Sequence, residues 1–142
     1  MSRILALDLG TRRIGLAVSD EMGWTAQGLP TLERRNNRTD LEALVKLIRE
    51  RGVTRVVAGN PLRLSGEESA GSRQAAAFAA RLERAAGVEV VLWDERLTTR
   101  EAARVLRSAG SSIAKRARAI DKMSAVLLLQ SYLDYHASAR QP

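Results

Sequence analysis

The sequence predicts an α/β fold: a mixed sheet whose opening strands form an antiparallel hairpin and whose later strands are parallel, flanked by α-helices. Three observations carry this. Two short apolar runs at the start are separated only by Gly10-Thr11-Arg12-Arg13. From Thr39 onward, helical and strand patterns alternate, so successive strands need crossover connections. Two of the helical stretches close on a glycine, Gly52 and Gly87, the residue suited to a left-handed C-terminal cap.

Residues 4–7 form the first apolar run, ending in Asp8 and Gly10, and Ile14-Gly-Leu-Ala-Val-Ser19 forms the second. The turn-forming stretch between them makes the pair a hairpin. A weaker third strand falls between Trp24 and Leu32, interrupted by Gly28 and Pro30. Thr39-Asp40-Leu41-Glu42 has capping-box spacing and opens a helix with Leu41, Leu44, Val45 and Ile48 along one stripe. Residues 55–59 read as a buried strand, and 60–69 as a polar loop with Pro61 and Gly66.

An Ala-rich helix follows over 70–86, then a strand over 88–93 that carries Asp94 and Glu95 at its end. Thr98-Thr99-Arg100-Glu101 caps another helix, the stretch 109–119 breaks the periodicity, and 120–135 forms the last helix. That helix is apolar nearly all round, as a core helix is. There is no internal repeat or linker, and 142 residues suit one domain, expected to span 1–142.

Composition narrows the chemistry. The chain has no Cys and one His, at position 136, which excludes disulfides and thiol nucleophiles and disfavours a catalytic triad or a His-based metal cage. Any metal site is then built from oxygen ligands. With 23 Lys and Arg against 16 Asp and Glu, the net charge is +7, which favours a polyanionic partner such as nucleic acid. An ordinary basic soluble protein is the alternative. No apolar run reaches the roughly 20 residues of a membrane span, and an acid at position 8 comes too early for a signal peptide. The expectation is a cytoplasmic protein.

Three acids stand at the ends of core elements: Asp8, the pair Asp94-Glu95, and Asp121. Each has a purely structural explanation, as a turn cap or as a favourable charge on a helix N-terminus. Their conjunction points further, because strand C-termini in an α/β sheet gather at one edge and form the usual ligand crevice. Carboxylates meeting there repel one another, and a divalent cation relieves the repulsion. Hard oxygen ligands select Mg²⁺ or Mn²⁺. Two such ions roughly 4 Å apart can activate a water and stabilise the leaving oxygen in phosphodiester cleavage.

Basic residues cluster beside the acids: Arg96, Arg100, Arg104, Arg107, Lys115, Arg116 and Arg118, with Gly110-Ser111-Ser112 as a candidate mobile loop. Together with Arg12 and Arg13 they would grip a phosphate backbone without reading sequence. The few aromatic residues, Trp24, Phe78, Trp93, Tyr132 and Tyr135, are mostly expected in the core. That expectation counts against a single-strand platform built on stacking.

The segment Asp8-Leu9-Gly10-Thr11-Arg12-Arg13-Ile14-Gly15-Leu16-Ala17-Val18-Ser19-Asp20 resembles the opening hairpin of the YqgF family, also called RuvX: candidate pre-16S rRNA nucleases related to RuvC-type Holliday junction resolvases. Val57-Ala58-Gly59-Asn60-Pro61-Leu62 with Ser65-Gly66, Trp93-Asp94-Glu95-Arg96-Leu97-Thr98-Thr99, and Ile120-Asp121-Lys122-Met123-Ser124-Ala125 with Leu129-Gln130 match its other motifs in order. The match covers nearly the whole chain. Asn60 and Arg63-Leu64 depart from the family pattern, in the substrate loop and away from the acids.

The resemblance implies an RNase H-like fold with a mixed five-stranded sheet. It implies metal-binding catalytic acids at Asp8, Glu95 and Asp121. Strand alternation would aim only one of Asp94 and Glu95 into the crevice, and the family pattern favours Glu95. The implied activity is Mg²⁺- or Mn²⁺-dependent trimming of the 5′ end of precursor 16S rRNA in ribosome assembly, with ribosomal particles as further partners and a monomer or homodimer as the working unit. A resolvase acting on branched DNA shares the chemistry and requires a symmetric dimer. A non-catalytic nucleic-acid-binding module is the alternative of another class. Actin-like ATPases share an Asp-x-Gly-Thr hairpin but duplicate the domain, for which 142 residues are too few.

Overall fold

The structure is a computed structural model that describes residues 2–63, 65–95 and 113–140, with side chains from 122 to 136 in the last stretch. Its strands are β1 (Arg3–Leu9), β2 (Arg13–Ser19), β3 (Ala26–Glu33), β4 (Val53–Asn60) and β5 (Glu89–Asp94), and its helices α1 (Asn37–Arg51), α2 (Ala70–Ala86) and α3 (Ile113–Arg140). One sheet holds the strands in the order β3-β2-β1-β4-β5. β1 pairs antiparallel with β2, and β2 with β3, whereas β1 with β4 and β4 with β5 are parallel. The expected mixed five-stranded sheet is present.

Strand alternation divides the core. In β1, Leu5 and Leu7 point to a layer shared with Ile14, Leu16, Val18, Val56 and the helical residues Leu44, Ile48, Phe78 and Leu82. Ala6 points the other way, with Ala17 and Val57, against Ala125, Leu128, Leu129, Tyr132 and Leu133 of α3. So α1 and α2 cover one face and α3 the other, as expected. The α3 face of the sheet is lined by small residues, which lets the helix sit close. A Cβ on Gly28 would stand 2.6 Å from Lys122 Cε and 3.2 Å from Val126 Cγ2.

Helix boundaries follow capping chemistry. α2 begins after Ser69, whose hydroxyl accepts from Ser72 N while Ser69 N donates to Ser72 Oγ, and it ends on Gly87 at φ 70°. α1 begins earlier than the Thr39 capping box suggests. Asn36 is the cap, its Oδ1 accepting from Thr39 N at 2.8 Å. Asp40 then lies in the first turn, where its carboxylate accepts from Arg35 N and from Arg34 Nε, both at 3.1 Å. That ion pair ties the first turn of α1 to the segment leading into it.

α3 also begins before the sequence suggests, at Ile113 rather than 120, so the irregular stretch predicted over 109–119 is helical from 113. The helix expected at Thr98-Thr99-Arg100-Glu101, with Arg104, Arg107 and the Gly110-Ser111-Ser112 loop, lies outside the described residues. Among the described residues, no helix is long and apolar enough to cross a membrane.

Candidate active site

β1, β4 and β5 run parallel, so Asp8, Gly59 and Glu95 arrive at the same edge of the sheet. Asp8 has the same parity as Ala6 and therefore lies on the α3 face. Its cross-strand neighbour on β2 is Gly15, and on β4 the register Leu7↔Ala58 leads on to Gly59. Glycines on both sides leave room around the carboxylate. Glu95 follows β5 on the same face as Trp93, two residues earlier, which packs in the α3 layer opposite Gly59. Asp94 has the opposite parity and pairs with Asn60. The structure thus brings Glu95, not Asp94, to Asp8.

The two carboxyl groups touch. Glu95 hydrogen-bonds Asp8, and its pKa is pushed up to about 9, first by burial, then by that bond and the charge of Asp8, and finally by the charge of Asp94. At neutral pH the pair shares a proton, with Glu95 donating, because two ionised carboxylates in one partly buried site repel each other. Gly59 makes this placement possible. A Cβ there would stand 2.7 Å from the Glu95 carboxyl carbon, so the Glu95 side chain fills the space that any other residue's side chain would take.

A pair of partly buried carboxyls in hydrogen-bond contact suits a hard divalent cation, which would replace the proton and take both as oxygen ligands. Among the described residues no group of three potential metal ligands occurs. Asp121 stands in the third turn of α3, one helical turn before the buried Ala125, and its side chain lies outside the described residues. Because α3 begins at Ile113, Asp121 is not in the first turn, and a role limited to capping does not apply.

Arg12 is exposed in the β1–β2 turn, and Arg13 opens β2 with Glu33 3.9 Å away. Arg96 lies outside the described residues, as do the side chains of Lys115, Arg116 and Arg118 in the first turns of α3. The turn bearing Arg12 is anchored in a way the sequence did not signal. Arg34 donates from Nη1 to Gly10 O at 3.0 Å and from its backbone N to Arg12 O at 2.8 Å, while its guanidinium binds buried Asp40 and lies over Phe78 at 5.5 Å. Gly10 is required within the turn, since a Cβ there would meet Arg13 O at 2.6 Å.

The chain is similar to known proteins over almost its whole length. The family model described as RuvX, Holliday junction resolvase, matches residues 2–135. A protein of Koribacter versatilis, named as a candidate pre-16S rRNA nuclease, is 54% identical over 139 residues, covering 98% of this chain and 91% of that one. A protein of Bacillus subtilis with the same name is 46% identical over 134 residues, covering 93% and 97%. Among solved structures, T. thermophilus RuvC in complex with a Holliday junction substrate matches with a TM-score of 0.62 at 15% identity, over 100% of this chain and 99% of that one. The fowlpox virus Holliday junction resolvase matches at 0.57 and 12% identity, over 94% and 99%. These low-identity likenesses show the fold, which is that of the RuvC-type, RNase H-like resolvases. With the family model spanning almost the whole sequence and close relatives matched end to end, the chain belongs to the RuvX family.

Proposed function

We propose that the protein is a divalent-metal-dependent nuclease that hydrolyses phosphodiester bonds, with precursor 16S rRNA as its substrate in ribosome biogenesis. The observation that carries the reading is the contact between the Asp8 and Glu95 carboxyls at the strand C-terminal edge. The names carried by full-length relatives at 44–54% identity supply the substrate. Asp8 and Glu95, with Asp121, would hold Mg²⁺ or Mn²⁺. When bound, such an ion supplies water activation at neutral pH and stabilises charge on the phosphate oxygens.

The chain's own residues do the rest. Glu95 carries the shared proton until the site is loaded and is kept against Asp8 by the open space over Gly59. Arg12 and Arg13 face the phosphate backbone from the β1–β2 turn, whose position Arg34 and Asp40 maintain. Lys115, Arg116 and Arg118, on the first turns of α3, and Arg96 extend this grip. The protein works in the cytoplasm, on ribosomal precursor particles.

A four-way DNA junction is the second substrate to be tested, because the family is described as a Holliday junction resolvase. The deciding assay incubates the protein with precursor rRNA, single-stranded RNA and DNA, and a four-way junction, with Mn²⁺ or Mg²⁺, beside Asp8→Asn. Metal-dependent cleavage of precursor rRNA that Asp8→Asn loses is expected. Cleavage of the junction alone, with symmetric nicks, would replace the rRNA reading. Metal-indifferent binding without cleavage would leave a non-catalytic binding module.

A further inference from the structure

A cavity of about 320 Å³ lies between α1 and α2, on the face of the sheet opposite the carboxyl pair. Leu9 and Phe78 give it an apolar wall, and Arg34, Asn37, Gln74 and Arg81 supply its polar groups. Among the described residues no carboxylate lines it. Leu9 directly follows Asp8 in β1, and alternation turns the two side chains to opposite faces, Leu9 towards the layer covered by α1 and α2. The cavity and the carboxyl pair therefore share one edge of the sheet.

The two arginines are in different states. Arg34 is held in place, donating from Nε to Asp40, from Nη1 to Gly10 O and from Nη2 to Asn37 Oδ1, with its guanidinium 5.5 Å from the Phe78 centroid. Those bonds use three of its five N–H groups. Two remain for a ligand, on a side chain with little freedom left to lose. Arg81 is exposed, and among the described residues it makes no hydrogen bond or ion pair. Two guanidinium groups less the Asp40 carboxylate leave one positive charge at the cavity, the charge that one phosphodiester neutralises. The apolar wall strengthens that attraction by keeping water from one side. A solvated helix face would account for Arg81 alone. It does not account for a second, immobilised guanidinium lining the same cavity with no acid among the lining residues.

We propose that this cavity is a phosphate-binding site, separate from the carboxyl pair, that takes one backbone phosphodiester of a bound nucleic-acid strand between Arg34 and Arg81. The inference rests on the nuclease reading for the class of ligand, and it gives the strand a second point of attachment, at the same sheet edge but on the other face. The amide groups of Asn37 and Gln74 offer further donors to phosphate or sugar oxygens. A phosphodiester chain is favoured over an acidic peptide because a strand that reaches the carboxyl pair passes this edge, in a chain of net charge +7. Such a contact fixes the position of the strand and reads no base, so RNA and DNA are held alike.

The test is binding without turnover. The full chain, in EDTA, is titrated over a salt series against labelled single-stranded RNA and DNA of about 12 nucleotides. Arg81→Ala should weaken binding to both about tenfold and reduce the slope of log K against log salt by about one. Ala77→Leu removes no charge but fills the cavity from an exposed position of α2, and should weaken binding by a similar factor. Arg84→Ala removes the same charge from the same helix outside the cavity, and should cost less than about twofold. Melting curves check that all three variants fold. Parental binding by both Arg81→Ala and Ala77→Leu overturns the site, and so do equal losses in Arg81→Ala and Arg84→Ala, which would report diffuse charge. The two readings fail separately. Strand binding that Arg81→Ala weakens, without cleavage of any substrate in Mn²⁺, would leave the site and remove the nuclease, and cleavage with an unchanged KM in Arg81→Ala would do the reverse.

Discussion

The Glu95 carboxyl group occupies the space that a side chain on Gly59 would fill, with the Glu95 carboxyl carbon 2.7 Å from the position of the absent Cβ. Gly59 is a buried residue of an interior strand, hydrogen-bonded between β1 and β5, so its backbone cannot retreat. Gly59→Ala must therefore push Glu95 away from Asp8. Cleavage should fall about a hundredfold, as it does when a reacting group is displaced by about an ångström. Thermal melting should change little, because alanine is otherwise the better strand residue. A Gly59→Ala protein that cuts at the parental rate would refute the role given to this vacancy.

Stability without metal should depend on pH through Glu95. In the folded chain this group keeps its proton up to about pH 9, against an ordinary value of 4.5. The folded state thus holds more protons across that window, so the favourable contribution is complete below the lower value and is lost as pH rises towards the upper one. The slope is at most about 1.4 kcal/mol per pH unit for one proton. Melting in EDTA should move to lower temperature between about pH 5 and pH 9, and Glu95→Gln should flatten the trend. Added Mg²⁺ or Mn²⁺ should raise the melting temperature most at high pH. A pH-independent melting curve for the parent would contradict the paired-carboxyl geometry.

Loss of metal ligation should be more severe than loss of position. Asp8→Asn and Glu95→Gln should each reduce cleavage by about a thousandfold or more, since several kcal/mol of transition-state stabilisation go with the ion. Isothermal titration of Mn²⁺ into each variant should show the matching loss of affinity. Retained Mn²⁺ binding in both would place the metal elsewhere.

The Arg34–Asp40 pair should matter to both stability and activity. Asp40 is 1% exposed, and its partner's side chain is 19% exposed. Removing the carboxylate by Asp40→Ala leaves a largely buried guanidinium without its counter-charge, at a cost of about 3 kcal/mol in urea unfolding. Arg34→Lys should not substitute, because one ammonium cannot reach Asp40, Gly10 and Asn37 as the guanidinium fork does. The turn carrying Arg12 would loosen in both variants.

Substrate grip should be electrostatic and additive. Arg12→Ala should weaken binding to all sequences alike and reduce the slope of log K against log salt by about one. A change in sequence preference instead would assign Arg12 to base contact.

The amino-acid order by itself determined what depends on near neighbours. The hairpin around Gly10, the limits of α2 between Ser69 and Gly87, and the arrival of Asp8 and Glu95 at strand ends all follow from turn residues, caps and alternation, which act within a few positions along the chain. The tertiary structure supplied the physical reason for Glu95, which the family resemblance already favoured over Asp94. Parity assigns the two to opposite faces, but the face that matters is the one α3 covers, and α3 comes from the other end of the chain. The same holds for Gly59, whose missing side chain matters only because β5 delivers Glu95 above it, and for Arg34, whose partners Gly10 and Asp40 lie on separate elements. Tyr132 and Tyr135 are three residues apart in one helix, yet one is sealed and the other open. Helical rotation separates them, and the sheet, meeting one side of α3, determines which is buried.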